Sequence, residues 1–214
     1  MTNGELFSVD ETQETLAAGA VLLRGYVTPL EPVLRAALAS IVDAAPFRHM
    51  VIPGGHRMSV AMTNCGDVGW VSDRTGYRYD AVDPESGRPW PAMPDPFRAL
   101  AQRAAADAGY ADFVPDACLI NRYEPGARMG LHQDRDEPNR AAPIVSVSLG
   151  LPATFQFGGP RRTDPVRKMQ LRHGDVVVFG GPSRLAYHGV LTLKNGDHPV
   201  WGAMRINLTF RKAQ

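Results

Sequence analysis

The chain is poor in cysteine, has no long apolar run and carries almost no net charge, and each shortage removes a class of protein. Two cysteines in 214 residues, Cys65 and Cys118, are too few and too widely spaced for a disulfide framework or a thiolate zinc site. A reducing compartment is therefore expected. No apolar stretch approaches the ~20 residues that span a bilayer. The opening MTNGELFSVDE lacks a basic stretch followed by an apolar one, so no secretion signal is expected and the protein reads as cytoplasmic. A formal charge of +1 gives no overall pull toward nucleic acid or membrane, and any such contact has to come from a local patch. No repeat or low-complexity tract stands out either, which argues against a solenoid.

Glycine and proline are plentiful, at 21 and 18 residues, and imply many turns in a sheet-rich body. Two helices are legible. In EPVLRAALASIVDAAP, Leu34, Leu38, Ile41 and Ala45 form one stripe at helical spacing. In PDPFRALAQRAAADAGY, Asp95 suits the N-cap, Pro96 the first helical position and Gly109 the stop. Phe97, Leu100 or Ala101, Ala104 and Ala108 make its apolar face. Beyond Gly109 come short β-type runs: ACLINRYE, IVSVSLG, ATFQFGG, DVVVFGG, LAYHGV and INLTFR. Strands crowded together without intervening helices predict a mainly β sandwich or barrel with flanking helices (α+β). The aromatic, Gly- and Pro-rich stretch between the helices reads as a folded flap rather than a linker.

Two histidine–acid pairs of the same form occur. His173-Gly-Asp175 stands just before VVVF, where a turn enters a buried strand, and reads as structural. His132-x-Asp134 is open to two readings, a charged loop or half of a metal site. On a strand, a spacing of two would put both side chains on one face. With one distant histidine they would make the two-histidine, one-carboxylate set that leaves open positions on Fe(II). His188, in LAYHGV, is the histidine placed on another β run. His49, His56 and His198 read as surface residues.

The last strand, RINLTFR, sends Arg205, Asn207, Thr209 and Arg211 to one face. Two arginines on a buried face need acidic partners, and guanidinium groups clamp carboxylates, so a dicarboxylate ligand would answer both. On a solvated edge strand they would need nothing. In CLINRYE, Leu119, Asn121 and Tyr123 share a face, offering an amide and a phenol to such a ligand.

With these residues in view, the chain resembles the AlkB-type Fe(II)/2-oxoglutarate-dependent dioxygenases over nearly its whole length. The strings that carry the resemblance are PFRHMVIPGGHRMSVAMTNCG, RPWPAMP, DACLINRYEPGA, LHQDRDEP, PIVSVSLGLPATFQFGG, HGDVVVFGG, YHGV and RINLTFR. The resemblance implies a double-stranded β-helix (jelly-roll) core with an N-terminal nucleotide-recognition lid. It implies one catalytic domain over 1–214, with the lid at about 46–96 and the core at about 115–214. Fe(II) would be held by His132, Asp134 and His188, with 2-oxoglutarate and O2 as cosubstrates. Arg205, assisted by Asn121 and Tyr123, would pair with the distal carboxylate of 2-oxoglutarate, while Asn207 and Arg211 would lie beside the carboxylate that chelates iron.

The implied reaction is oxidative demethylation of bases such as 1-methyladenine and 3-methylcytosine in DNA. The damaged base would be flipped out of a single strand, the preferred form, or of a duplex. Trp70 would stack on the base opposite His132, with Gly66 and Gly69 leaving room for a flat ligand. Asp136 would favour cationic lesions, and Tyr77 and Arg162 would contact phosphate. The chain departs from bacterial members at Phe179, Gly130 and Arg135, where they carry Trp, Ser and Lys. A monomer without a membrane partner is expected. Two rivals stand beside this reading: the same chemistry on RNA or protein, and a jelly-roll module holding a metal or sugar without turnover. The paired Arg205 and Arg211 weigh against the second.

Overall fold

The computed structural model describes residues 12–214. In chain order its main elements are β1 (Gln13–Ala17), β2 (Ala20–Leu23), α1 (Glu31–Ala44), β3 (Ala61–Gly66), β4 (Gly69–Asp73), β5 (Gly76–Asp80) and α2 (Asp95–Asp107). There follow β6 (Ala117–Tyr123), β7 (Met129–His132), β8 (Ile144–Gly150), β9 (Ala153–Phe157), β10 (Arg167–Leu171), β11 (Val176–Phe179), β12 (His188–Val190) and β13 (Arg205–Arg211). A seven-stranded sheet in the order β1-β2-β11-β8-β13-β6-β3 faces a four-stranded sheet, β10-β9-β12-β7. β4 and β5 make a separate hairpin. This is the jelly-roll architecture expected, with its strands antiparallel throughout.

Alternation along the strands decides the layering. One face of the large sheet, with Ile120, Val145, Val147, Ile206, Leu208 and Phe210, packs under α1 and α2. The opposite face looks into the space between the sheets, where Leu119, Tyr123, Ile144, Phe155, Phe157 and Phe179 gather. Period-two side-chain direction therefore sends the apolar set of β13 to the helices, and Arg205, Asn207, Thr209 and Arg211 to the interior. β13 is no edge strand: it lies between β8 and β6, and all seven of its residues are buried.

Both helices occur where the periodicity puts them. α1 buries Leu34, Leu38 and Ile41. α2 buries Phe97, Leu100, Ala101, Ala104 and Ala105; full burial of Phe97 alone contributes roughly 1.5–3 kcal/mol. The start of α2 differs from expectation. Pro94, extended at φ −60° and ψ 144°, occupies the N-cap, and Asp95 is the first helical residue with no side-chain cap bond. Its charge still suits the positive end of the helix dipole. The stop is as read: Gly109 takes φ +90°, and Tyr110 and Gly109 donate back to the carbonyls of Ala105 and Ala106, a Schellman closure.

The stretch 46–96 divides. β3 is an integral strand of the large sheet, paired residue for residue with β6, so that Cys65 faces Cys118. The β4–β5 hairpin stands apart from it. Gly66 and Gly69 serve backbone packing instead of ligand access. Gly66 is at φ +120°, and a Cβ there would meet the Asp116 carbonyl oxygen at 2.3 Å; one on Gly69 would meet the Trp90 ring at 2.5 Å. Their close neighbours are protein atoms, so these glycines open no space for a base.

Candidate metal and cosubstrate site

His132 closes β7 and His188 opens β12, and the two are direct partners in the strand pairing. Their rings lie 4.5 Å apart, centroid to centroid. Asp134 lies just beyond the end of β7, in the loop and not on the strand. Its carboxylate nevertheless comes within 3.5 Å of His132 Nε2 and 3.9 Å of His188 Nε2. One ligand atom from each of the three residues falls within 4.8 Å of the others. Among the described residues this is the group of histidines and acids able to share a cation.

The donor set suits a metal. His132 Nδ1 is 2.8 Å from the Gly130 carbonyl oxygen, and His188 Nδ1 is 3.0 Å from that of Ala186. A carbonyl only accepts, so each Nδ1 carries a hydrogen, and a ring in its neutral form turns its Nε2 lone pair to the shared point. Burial, together with the neighbouring His132, brings His188 down to about 4. Burial alone would raise Asp134, but Arg211 and the two histidines hold it well below the carboxylate range. At neutral pH the site therefore presents an ionised carboxylate and a neutral imidazole, the forms that bind metal. Burial lowers His132 too, yet the hydrogen bond and charge of Asp134 outweigh it and raise this histidine.

Behind these three residues lies a small interior cavity of about 60 Å³, lined by Asn121, Tyr123, Arg205, Asn207, Arg211 and Phe179, among others. That is room for more than one water molecule. Arg205 is 1% exposed. Its Nη2 donates to Ser148 Oγ at 3.0 Å and its guanidinium lies 4.9 Å from the centre of the Tyr123 ring. Its Nε and Nη1 have no partner among the described residues. Burial lowers the affinity of this guanidinium for its proton. A buried cation with two idle donors is a place built for an anion.

Arg211 is differently placed. Its Nε and Nη2 both donate to Asp134 Oδ2, at 3.0 and 2.6 Å, and Nε also lies 3.3 Å from Glu137 Oε1. This guanidinium is committed to the candidate metal ligand. Asn207 is likewise engaged, donating to Ser146 Oγ and the Val147 carbonyl, both at 2.9 Å. Asn121 Nδ2 donates to Asn207 Oδ1 at 3.4 Å. Phe179 stands edge-on to His188, 5.1 Å between ring centres.

A larger cavity of about 440 Å³ opens outward from His132 and Asp134, and its walls include Met58, Trp70, Tyr77, Asp136, Arg162 and Tyr187. Trp70 stacks against Tyr77 at 5.6 Å and donates from Nε1 to Asp136 Oδ2 at 2.9 Å. Arg162 donates to the Leu131 carbonyl and sits over the Tyr187 ring. All four residues expected to touch substrate thus share one cavity with His132 and Asp134. The pair His173–Asp175 does not join it. Asp175 accepts from the Gly25 and Arg172 amides at a turn where Gly174 is at φ +88°, as a turn-capping acid should.

Three residues near the site, the buried Arg184 and Glu137 and the half-buried Tyr79, gave no signal in the sequence. Arg184 donates to the main-chain carbonyls of Asp134 and Ala142 and to Glu137 Oε2, and Tyr79 donates to Glu137 Oε1. Two of the three Arg184 bonds go to backbone oxygens, which no sequence pattern marks. Glu137 looked like one more acid of a solvated run.

The 2OG-Fe(II) oxygenase superfamily model matches residues 19–211. The chain is 59% identical over 201 residues to "Alpha-ketoglutarate-dependent dioxygenase AlkB" of Escherichia coli, covering 94% of this chain and 93% of that protein. It is 47% identical over 173 residues to the AlkB homolog of Caulobacter vibrioides, covering 80% and 77% of the two chains. Among solved structures, that of OsALKBH1 superposes with a TM-score of 0.80 at 29% identity, over 94% of this chain and 99% of the other. With fold, the His132–Asp134–His188 group and relatives in agreement, the chain belongs to the 2OG-Fe(II) oxygenase superfamily and, within it, to the AlkB-type dioxygenases.

Proposed function

We propose that this protein removes N-linked methyl groups from bases such as 1-methyladenine and 3-methylcytosine in DNA, preferring single strands and acting as a cytoplasmic monomer. The observation that carries the reading is the convergence of His132, Asp134 and His188 at the mouth of a cavity floored by the half-partnered Arg205. The three residues would hold Fe(II), and Arg205, with Asn121 and Tyr123 nearby, would receive one carboxylate of 2-oxoglutarate. Bound together, iron, 2-oxoglutarate and O2 supply the power to hydroxylate a methyl C–H bond, with succinate and CO2 as the other products.

The remaining work falls to the chain. The carbonyls of Gly130 and Ala186 orient the two imidazoles, and Arg211 keeps Asp134 ionised and in place. Trp70 and Tyr77 offer flat surfaces to a base taken out of its stack, the step any enzyme acting on a base must make. Asp136, beside Trp70, would favour a cationic methylated base over a neutral one. Arg162 and Tyr77, at the cavity rim, would meet phosphate. The β4–β5 hairpin that carries Trp70 and Tyr77 would act as the lid. The resulting hydroxymethyl amine sheds formaldehyde and leaves the repaired base.

"DNA N(6)-methyladenine demethylase ALKBH1D" of Arabidopsis thaliana, 30% identical over 195 residues, and "Nucleic acid dioxygenase ALKBH1" of Homo sapiens, 31% identical over 105, support a nucleic-acid substrate. Incubation of a 1-methyladenine oligodeoxynucleotide with Fe(II), 2-oxoglutarate and air should release formaldehyde and succinate, and His132→Ala should abolish both. Turnover that survives His132→Ala would remove the ligand assignment. RNA, duplex and methylated-peptide substrates, run in parallel, rank the alternatives.

A further inference from the structure

Two more carboxylates follow Asp134 closely, Asp136 and Glu137, and an aromatic residue of the β4–β5 hairpin holds each of them. Trp70 Nε1 donates to Asp136 at 2.9 Å, and the Tyr79 hydroxyl donates to Glu137 Oε1. Trp70 and Tyr79 are direct partners across the hairpin, so the two holds lie side by side. Their settings differ. The Trp70–Asp136 bond is exposed, whereas Glu137 is 2% exposed and sits between two guanidiniums. Arg184 Nη2 meets its Oε2 at 3.0 Å, and Arg211 Nε lies 3.3 Å from its Oε1. The same two arginines grip Asp134, Arg184 through the main-chain oxygen at 2.6 Å and Arg211 through the carboxylate at 2.6 Å. A continuous set of charge-assisted bonds therefore runs from the hairpin to the candidate metal ligand, inside a region where such bonds are strongest.

We propose that Tyr79 is a positioning residue: through the buried carboxylate of Glu137 it fixes the β4–β5 hairpin, and with it the Trp70 ring, over the metal-ligand loop. The inference rests on the nucleobase reading above. Asn64 ties the Trp70 main chain to β3, but a base that engages Asp136 competes with the outer hold, which leaves the Tyr79–Glu137 bond as the side-chain tie between the hairpin and the metal-ligand loop. Removing the Tyr79 hydroxyl still leaves Glu137 with Arg184 and Arg211, so the metal-ligand loop keeps its partners, while the hairpin keeps its bonds to Asn64 and Val51 and loses its tie to that loop.

Tyr79→Phe deletes one oxygen and keeps the ring. The KM for a 1-methyladenine oligonucleotide should rise roughly tenfold, the scale of one hydrogen bond to a charged group, with kcat changing less. The ratio of succinate to formaldehyde should rise as well, because a loosened hairpin lets the keto acid turn over without a base in place. Calorimetric affinity for Mn(II) should stay within about twofold, since the partners of Asp134 are untouched. Hydrogen exchange of the 69–80 amides, measured on protein loaded with Mn(II) and 2-oxoglutarate but no nucleic acid, should speed up roughly tenfold. Unchanged KM, unchanged exchange, or a parallel loss of Mn(II) affinity each overturns the proposal. If the wild-type protein fails to demethylate the oligonucleotide, the nucleobase reading falls on its own, and the exchange measurement still decides whether Tyr79 anchors the hairpin.

Discussion

Arg205→Met should pull apart two properties that usually fall together, stability and ligand affinity. In the ligand-free protein the Arg205 guanidinium is buried with Nε and Nη1 idle, and each idle buried donor costs roughly 1–3 kcal/mol. Against this stand one bond to Ser148 and the face of Tyr123, together worth roughly 2–5 kcal/mol. The two sides nearly cancel, and methionine fills much of the same volume without a charge. Ligand-free stability should therefore be unchanged or higher by up to about 2 kcal/mol. At roughly 2–4 °C per kcal/mol, that is a Tm between the wild-type value and about 8 °C above it. Affinity should move the other way. Loss of a buried charge that faces a carboxylate costs roughly 2–5 kcal/mol, which weakens 2-oxoglutarate binding about 30-fold to several thousandfold. Urea unfolding of the ligand-free protein gives the first quantity, and calorimetric titration of 2-oxoglutarate into the Mn(II)-loaded protein gives the second. A variant destabilised by more than about 1 kcal/mol, or one that binds 2-oxoglutarate within about threefold of wild type, would show that this guanidinium is not held in reserve for an anion.

Arg211→Met should behave oppositely in the stability test. It strips Asp134 and Glu137 of their shared partner, and urea unfolding should show a loss of roughly 3–5 kcal/mol. Asp136→Asn should narrow the preference for cationic 1-methyladenine over neutral 1-methylguanine by roughly fivefold in a competition assay, the scale of one solvent-exposed charge. His173 is held below its ordinary value by burial and by the adjacent His198, while its Nδ1 accepts the Gly150 amide. The unfolded chain therefore binds this proton first as pH falls, so the stabilisation is complete above about 6.5 and is lost toward the lowered folded value. His173→Asn, which keeps an acceptor in place of Nδ1, should flatten that part of the stability–pH curve, and NMR titration of the His173 ring should give a midpoint below 6.5.

Reading β13 from the sequence worked because its alternation is strict: one face apolar, the other Arg205, Asn207, Thr209 and Arg211. The choice between a solvated edge and a buried interior needed the sheet order, which depends on pairings between β6, β8 and β13 that are distant in sequence. α2 was legible through Pro96 and Gly109, local devices with local causes. β3 was not, because AMTNCG has no alternation and is buried throughout. Its polar members are satisfied by remote groups, Thr63 donating to the Ala45 carbonyl and Asn64 bonding the backbone of Trp70. β7, with four residues, and β10, which opens on Arg167 and Lys168, fell below any recognisable strand pattern. His132 and Asp134 were found as a pair, but on the premise of a strand that stops at His132. Proximity in the chain put the carboxylate near the ring without the strand's help. What sequence reasoning missed most completely is the Arg184–Glu137–Tyr79 group, because a guanidinium addressed to carbonyl oxygens leaves no spacing to detect.

The facing of His132 and His188 across adjacent strands has a consequence for how this molecule can vary. Their separation is dictated by the pairing of β7 with β12 and not by the length of chain that joins the two strands. A slip of one rung is another matter, since it would swing one imidazole to the opposite side of its strand. Gly189 guards that rung: any side chain there would begin 2.8 Å from the Met129 carbonyl oxygen. The candidate metal centre therefore stands or falls with one whole step of the ladder.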